Sequence, residues 1–230
     1  KFKTHFDQPD STNQVIALWL KINADTVDYA AESIIRNRDY VEDFELKTVL
    51  IYVENFGTPS LGLDLAISMQ NNQHYGLGGI IGDSILSNWA HIMIYTDSEE
   101  CSIGLYVNGN KIDEVIEHQN ENCENWGIKF YDDIVQEHLN LVLFDQPNYD
   151  IYLYFDELVF WEGEASVSEA LNNVSSGNFN YLDSGCRSYF RFNTPSMLNE
   201  GTVPNYCGES MELIDASSPP LPDYYYNFST

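Results

Sequence analysis

A strand-like alternation of apolar side chains is the feature that most restricts the fold of this 230-residue chain. In residues 89–96, Ala90, Ile92 and Ile94 fall on one side of an extended backbone, and larger side chains fall on the other. Side chains of a strand point alternately to its two faces, so this segment predicts a strand. Residues 14–22 are apolar on both faces, which is typical of a strand in the centre of a sandwich.

A second signal is the Asn108-Gly109 pair, which separates residues 102–107 from residues 111–116. Both residues of the pair tolerate positive φ, which a type I′ turn requires. We therefore expect an antiparallel β-hairpin with its turn at this pair.

Further strand-like runs are separated by turn residues over much of the chain. These runs are residues 47–53, 61–69, 139–144 and 150–161. In the last run the apolar phase slips, which predicts a β-bulge near Asp156 and Glu157. Residues 29–45 fit either a helical turn or a strand, and the glycine-rich residues 76–82 are interpreted as a turn between strands.

One short helix is expected after Ser166, because Ser166 and Glu169 have the spacing of a capping box. Many short strands with a single small helix argue against alternating βαβ units. The pattern therefore predicts an all-β fold, a two-sheet antiparallel sandwich with one short helix.

The charge of the chain excludes one class of partner. Acidic residues outnumber basic ones 36 to 10, which gives a formal net charge of −26. Such a chain repels nucleic-acid phosphates and anionic lipid headgroups, so we expect no nucleic-acid binding. No apolar run approaches the ~20 residues that a membrane-spanning helix needs, and we expect no membrane insertion.

Four cysteines, none in a Cys-x-x-Cys pair, predict two disulfide bonds rather than a zinc site. They are Cys101, Cys123, Cys186 and Cys207. Three pairings are possible. We favour 101–123 with 186–207, because each bond then closes a loop of about twenty residues, worth ~3 kcal/mol in the chain-entropy model. The alternative is four free thiols in a cytosolic protein.

Two Asn-x-Ser sequences, at Asn173 and Asn227, are N-glycosylation acceptors if the chain is secreted. The chain starts at Lys1 without an initiator Met, so we expect that a signal segment has been removed. Together with the cysteines, these features predict an extracellular or cell-surface glycoprotein.

The composition changes after residue 180. Residues 1–180 hold the strand-like runs and are predicted to form one jelly-roll domain. Residues 181–230 contain proline and tyrosine runs and the second cysteine pair. They predict an irregular, disulfide-containing C-terminal extension.

Three motifs resemble the laminin G-like, concanavalin A-like jelly roll, the superfamily that includes pentraxins and legume lectins. The first is Val-Ile-Ala-Leu-Trp-Leu-Lys-Ile at 15–22. The second is Trp-Ala-His at 89–91 with Tyr-Val-Asn-Gly at 106–109, and the third is Phe-Asp-Glu-Leu-Val-Phe-Trp at 155–161. In this order and spacing they cover roughly residues 13–172.

The resemblance implies two antiparallel sheets, with ligands held by loops at one edge and often through calcium. It implies that Trp19 and Trp89 are core anchors rather than stacking platforms. It also implies that Asp156 and Glu157 end a strand and do not form a catalytic pair.

Acidic and aromatic residues in the third quarter of the chain are the candidate ligand site. Calcium takes 6–8 oxygen ligands, and Asp132, Asp133 and Glu137 cluster in one predicted loop. A uniformly acidic surface is the alternative interpretation. For a glycan, Trp126 is the preferred exposed aromatic candidate, followed by Tyr131; a place at the rim of the sandwich is the alternative for Trp126.

The extension suggests assembly. Residues 188–193, Ser-Tyr-Phe-Arg-Phe-Asn, are an aromatic segment that resembles the opening strand of a laminin G-like repeat. With Tyr189, Phe190 and Phe192, this segment could complete the sandwich of the next subunit by strand addition. Repeated head to tail, such a contact yields filaments unless it closes. The alternative is that the segment folds onto its own domain.

Catalysis is not expected. Retaining glycosidases, which occur on the same general fold, need two carboxylates about 5 Å apart. The Glu-x-Asp-x-Glu strings that achieve this on a strand are absent from the sequence. We therefore predict a non-catalytic structural or adhesive surface protein that assembles through its extension. A calcium-assisted glycan-binding lectin module is the alternative, and a glycosidase is a weaker third.

Overall fold

The structure is a computed structural model, and 14 strands and one helix are defined among the residues that it describes. It describes residues 2–6, 13–24, 29–37, 44–53, 58–69, 74–80, 88–117, 123, 126–128, 139–145, 151–175, 185–192, 202–207 and 211–213. The elements are β1 (Phe2–Phe6), β2 (Asn13–Ala24), β3 (Tyr29–Asn37), β4 (Phe44–Val53), β5 (Thr58–Ser68), β6 (His74–Ile80), β7 (Ala90–Asp97), β8 (Ser102–Val107), β9 (Asn110–Ile116), β10 (Leu139–Asp145), β11 (Ile151–Gly163), α1 (Val167–Ser175), β12 (Cys186–Phe190), β13 (Thr202–Val203) and β14 (Met211–Leu213).

The strands form two antiparallel sheets. The first has eight strands in the order β13-β14-β1-β10-β3-β4-β5-β6, and the second has six in the order β12-β11-β2-β7-β8-β9. The predicted all-β, two-sheet antiparallel sandwich with one short helix is confirmed. Residues 29–37, for which a helical turn was the other possibility, form β3.

The inner core lies between the sheets. In β5, Leu63, Leu65 and Ile67 are buried, whereas Asp64 and Ala66 between them are exposed. This alternation shows that the eight-stranded sheet has one buried and one solvent-facing side in this strand. The six-stranded sheet differs, because both faces are buried over residues 13–18 of β2 and 90–96 of β7, as the apolar character of residues 14–22 predicts.

The helix α1 covers part of the outer face of the six-stranded sheet. A buried cluster on this face is formed by Val15, Ala17, Met93, Tyr95, Tyr106 and Ala170. Trp161, Val167 and Leu171 pack against it. The capping box is confirmed, since Ser166 N donates to Glu169 Oε2 at 2.9 Å and Glu169 N donates to Ser166 Oγ at 3.4 Å. The helix therefore starts where the sequence predicts, and it covers part of the outer face of the six-stranded sheet.

Both local irregularities expected in the strands are present. Asn108 and Gly109 have φ of 50° and 79° and join β8 to β9, which confirms the hairpin. The pairing of β11 with β2 shifts between Asp156 and Val159, and Glu157 has φ of 50°. This shift confirms the predicted bulge.

The glycine-rich residues 76–82 were interpreted as a turn, and this was wrong for residues 76–80, which belong to β6. β6 is an edge strand that lies close to its neighbours: a Cβ on Gly78 would meet Asp64 Oδ1 at 2.6 Å, and one on Gly79 would meet Ile112 Cγ2 at 2.6 Å. The glycines are needed for this approach and not for a turn. Gly78 N donates to Asp113 Oδ2 at 3.0 Å. This hydrogen bond links β6 and β9, the edge strands of the two sheets.

Two disulfide bonds are formed, and the favoured pairing is confirmed. Cys101 bonds Cys123 with a Cα–Cα distance of 5.2 Å, and Cys186 bonds Cys207 with 6.0 Å. Such bonds persist in oxidising compartments, which indicates an oxidising environment for this chain. In the described part of the chain the helix α1 has nine residues, which are too few to cross a bilayer.

The described part of the extension pairs with its own chain. β12 is hydrogen-bonded to β11, and β13 and β14 continue the other sheet beside β1. Tyr189, Phe190 and Phe192 are buried, with 4%, 0% and 6% of their surface exposed. These side chains offer a neighbouring subunit almost no surface, which favours the alternative of a segment folded onto its own domain. The division of the chain at residue 180 stays a prediction.

Candidate functional site

The candidate site is the half of the outer sheet face that lies beyond α1, here called the open half. The cluster under the helix includes Val15 and Ala17 of β2 but not Trp19, the next residue on the same face. Strand register places Trp19 opposite His91 on one side and opposite Asp156 on the other. The open half therefore starts at Trp19 and extends over β7, β2, β11 and β12.

Its first part is an aromatic row formed by Trp19, Lys21, Trp89, His91 and Tyr154. The rings of Trp19 and His91 are in edge contact, with centroids 5.2 Å apart and planes inclined at 60°. Lys21 Nζ lies 5.7 Å from the ring centroid of its register partner Tyr154, a cation–π distance. The ammonium and the ring of this pair thus lie side by side on neighbouring strands.

Trp89 is 38% exposed, although the residues that follow it in β7 are buried. It directly precedes β7, two residues before His91. The resemblance implied that Trp19 and Trp89 are core anchors. This was wrong for Trp89, and Trp19 is only half-buried. A large indole that remains accessible is a candidate contact for a ligand.

Within this row His91 is fully buried, with 1% of its surface exposed. Neither ring nitrogen has a hydrogen-bond partner within the described part of the chain. Burial lowers the pKa of the imidazole to about 4, so the ring is neutral at physiological pH. Its backbone is held by Asn108, whose Oδ1 accepts from His91 N at 2.9 Å. The hairpin turn is thereby fixed next to the row.

The second part is the bulge corner, formed by Asp156, Glu157, Tyr189, Arg191 and Tyr206. Asp156 Oδ1 accepts hydrogen bonds from Glu157 N at 2.8 Å and from Phe192 N at 3.1 Å. These bonds hold the bulged backbone of β11 to the segment that follows β12. Glu157 has a positive φ, which residues other than glycine rarely adopt.

The carboxylate of Glu157 lies between two donors at long distance. Arg191 Nη2 is 3.5 Å and Tyr189 Oη is 3.4 Å from Glu157 Oε1. Burial and the neighbouring Asp156 raise the pKa of Glu157, and Arg191 partly offsets the rise. Burial, followed by the Glu157 charge, raises the pKa of the Tyr189 phenol, which therefore stays protonated.

Tyr206 lies at the outer side of the corner and is 46% exposed. Its ring is 5.7 Å from that of Tyr189, at an interplanar angle of 44°. The position is fixed by Asn205, whose Oδ1 accepts from Tyr189 N and from Cys207 N, both at 2.9 Å. With the Cys186–Cys207 bond, these contacts hold an exposed ring on a rigid support.

Trp126, the preferred glycan-stacking candidate, is buried with 0% of its surface exposed, so its expected exposure was wrong. Its Nε1 donates to the carbonyl of Ser102 at 3.0 Å, and its ring lies 5.6 Å from that of Tyr75. Cys123 precedes it by three residues, and the disulfide to Cys101 holds the loop against the sandwich. An indole enclosed in this way has no face available for a sugar.

The other predicted ligand residues lie outside the described residues. These are Tyr131, Asp132, Asp133 and Glu137, together with Asn227. Asn173 lies in α1, and its side chain is likewise outside the description. Over the described ranges, no group of three or more His, Cys, Asp or Glu side chains is arranged to hold a metal ion.

Sequence reasoning missed the open half as a site. The alternation of residues 89–96 does place Trp89 and His91 on one face, and this signal could have identified the aromatic row. The bulge corner has no comparable signal, because Glu157, Arg191 and Tyr206 are brought together by pairing of β11 with β12 and by a disulfide.

No family model matches the sequence, and no curated protein matches it. Solved structures match in fold. The binding domain of botulinum neurotoxin serotype D matches with a TM-score of 0.50 at 13% identity, covering 77% of this chain and 41% of that chain. The binding domain of botulinum neurotoxin DC in complex with SialylT matches with a TM-score of 0.50 at 14% identity, covering 76% and 39%.

The chain thus spans about two fifths of the solved chains that it matches. At these identities the matches show the fold alone. They show that the chain has an antiparallel β-sandwich fold like the matched part of those binding domains, and they do not single out the laminin G-like or pentraxin branch.

Proposed function

We propose that this chain is a non-catalytic extracellular binding domain that holds an uncharged glycan on the open half of its outer face. The observation that carries the proposal is the accessible indole of Trp89, which precedes β7, and β7 pairs with β2, the strand that carries Trp19 and Lys21. Aromatic faces complement the C–H-rich side of a sugar ring, and neighbouring charged groups bind its hydroxyls.

The charge of the chain supports an uncharged ligand. At −26, the protein repels anionic partners, including nucleic acid and acidic lipid surfaces. An apolar protein partner would bury Glu157 and Arg191 without satisfying them, at a cost in binding free energy. Sugar hydroxyls both donate and accept hydrogen bonds, so a glycan does not impose that cost.

The non-catalytic part of the proposal is supported by the contacts of the two adjacent carboxylates. Asp156 Oδ1 already accepts two backbone N–H groups, and Glu157 faces Arg191 and Tyr189. Both carboxylates therefore have structural partners, which are not those of a free acid and nucleophile pair.

The fold supports the same class of function by analogy only. One neurotoxin binding domain with this fold is described in complex with SialylT. We also propose that calcium assists glycan binding by this chain, with Asp132, Asp133 and Glu137 as its ligands. We likewise propose that the domain is of the laminin G-like type.

Glycan-array binding tests the function, with the wild type, Trp89→Ala and the control Ile80→Ala. Ile80 is 61% exposed and lies in β6 of the other sheet, so its loss matches the removal of an exposed apolar side chain elsewhere. We expect Trp89→Ala to weaken binding roughly tenfold, since an aromatic contact is worth about 1.4 kcal/mol.

Each array is read with calcium and with EDTA. Binding that EDTA abolishes supports the calcium proposal, and binding that EDTA leaves intact rejects it. A wild type that binds no glycan under either condition, or a Trp89→Ala variant that binds like the wild type, contradicts the proposed function.

A further inference from the structure

The Glu157–Arg191 pair of the bulge corner is incompletely hydrogen-bonded. Charge-assisted N–H···O bonds are typically about 2.7–2.9 Å long, whereas Arg191 Nη2 lies 3.5 Å from Glu157 Oε1. Arg191 Nε is enclosed and has no hydrogen-bond partner among the described residues. The side chains of Arg191 and Glu157 are nevertheless 41% and 22% exposed, so the pair keeps donor and acceptor capacity that a ligand can reach.

The backbone at this position is held in an unfavourable conformation. Glu157 has φ of 50°, which is costly for a residue with a Cβ and persists only where surrounding contacts impose it. Here those contacts are the two hydrogen bonds accepted by Asp156 Oδ1. The carboxylate of Glu157 is thus presented by a rigid support. Tyr189, whose hydroxyl contacts this carboxylate, lies with its ring 5.7 Å from the exposed ring of Tyr206 on a disulfide-fixed segment.

The chemistry of these groups selects a neutral, hydroxyl-rich ligand. Two adjacent hydroxyls can donate one hydrogen bond to Glu157 and accept another from Arg191, which replaces the long direct contact. The apolar side of the same ring can lie on Tyr206. An anion would face Asp156 and Glu157 as well as the overall charge of −26, which disfavours acidic sugars.

Arg191, which directly follows β12, is too far from Trp89 for one sugar ring to contact both residues. From β7, which Trp89 precedes, the face runs over β2 and β11 to β12. Three inter-strand spacings of ~4.8 Å amount to roughly 14 Å. We propose that the bulge corner is a second subsite of this face, and that the ligand is an uncharged oligosaccharide lying across the strands. This inference rests on the proposed function of the open half.

Isothermal titration with neutral cello-, malto-, chito- and galacto-oligosaccharides, from the monosaccharide to the hexasaccharide, tests the second subsite. We compare the wild type with Arg191→Gln and Tyr206→Ala. Lys111→Gln is the control for lost charge, because Lys111 is exposed and pairs with Glu114 of β9. Tyr206→Phe keeps the ring and should bind like the wild type.

For the wild type, affinity should rise with chain length. In Arg191→Gln and Tyr206→Ala the longer sugars should lose roughly tenfold in affinity, whereas the shortest sugar that binds should be unaffected. Trp89→Ala should weaken every length. Melting curves verify that the variants remain folded.

Length-dependent affinity that Arg191→Gln and Tyr206→Ala leave unchanged overturns the second subsite and leaves the function of the aromatic row intact. A wild type that binds none of the sugars, on the array or by titration, overturns the proposed function and the subsite with it.

Discussion

The indole of Trp19 and the imidazole of His91 meet edge to face across β2 and β7, with ring centroids 5.2 Å apart. The pair lies where the helix-covered part of the outer face ends, and Trp19 is partly accessible while His91 is not. A buried titratable ring thus supports the surface that we assign to ligand binding, which connects the stability of that surface to pH.

Lowering the pH should destabilise the protein through His91. Its folded pKa is about 4 and its ordinary value is 6.5, so between these values the unfolded chain binds the proton and the folded chain does not. Stability is therefore lost as the pH falls from 6.5 to 4, by roughly 3 kcal/mol at 1.36 kcal/mol per unit. Urea unfolding at pH 7 and pH 4 measures this, with His91→Leu as the reference. Equal losses in both proteins would contradict the assignment to His91.

Replacing Glu157 should reveal the conformational cost of the bulge. Glu157→Ala and Glu157→Gly both remove the carboxylate, but only glycine accepts φ of 50° without strain. We expect the glycine variant to be about 1 kcal/mol more stable than the alanine variant, which is the size of the left-handed penalty. Chemical denaturation of the two variants checks the difference. An alanine variant that is as stable as the glycine variant would show that the bulge is not strained.

The two disulfides should contribute similarly to stability and differently to binding. Their sequence separations are 22 and 21 residues, so replacing either pair by serines should cost ~3 kcal/mol. Only the Cys186–Cys207 bond fixes the segment that carries Tyr206. We expect its removal to weaken oligosaccharide binding, and removal of Cys101–Cys123 to leave binding unchanged, in titrations below the melting temperature. Equal binding losses would refute this separation.

Trp126 should matter for folding and not for ligand binding. Trp126→Phe keeps an aromatic ring but leaves the Ser102 carbonyl without its donor, at a cost of about 1–3 kcal/mol. The matched change Trp89→Phe at an exposed position should alter stability by no more than about 0.5 kcal/mol. Thermal melts of both variants, with glycan binding measured in parallel, compare the two tryptophans. A Trp126→Phe variant with normal stability and lost binding would restore Trp126 as a ligand contact.

Much of the fold was predictable because the signals are local. The Asn108-Gly109 turn, the Ser166–Glu169 cap and the phase slip at Asp156 each act within a few residues, and all three are present in the structure. The glycine-rich β6 was not predictable in this way. Its extended form depends on pairing with β5 and on the close approach of Asp64 and Ile112, which lie elsewhere in the sequence.

The site was less predictable than the fold for a related reason. Exposure of an aromatic ring depends on which distant segment covers it, and sequence composition around a residue does not report that. Trp126 lies in an acidic loop, which suggested an accessible ring, yet it is buried against Tyr75 and β8. Trp89 belongs to a strand motif, which suggested a core position, yet α1 covers a different part of that face.

By itself, the sequence determined the class of architecture, the positions of the tight turn and the bulge, and the net charge that disfavours anionic partners. These follow from side-chain periodicity, local backbone preferences and summed charge, which need no knowledge of distant contacts. Only the tertiary structure decided which rings remain accessible and that Glu157, Arg191 and Tyr206 share one corner. Burial and convergence of side chains are set by strand register and by the disulfide, both of which join residues far apart in the chain.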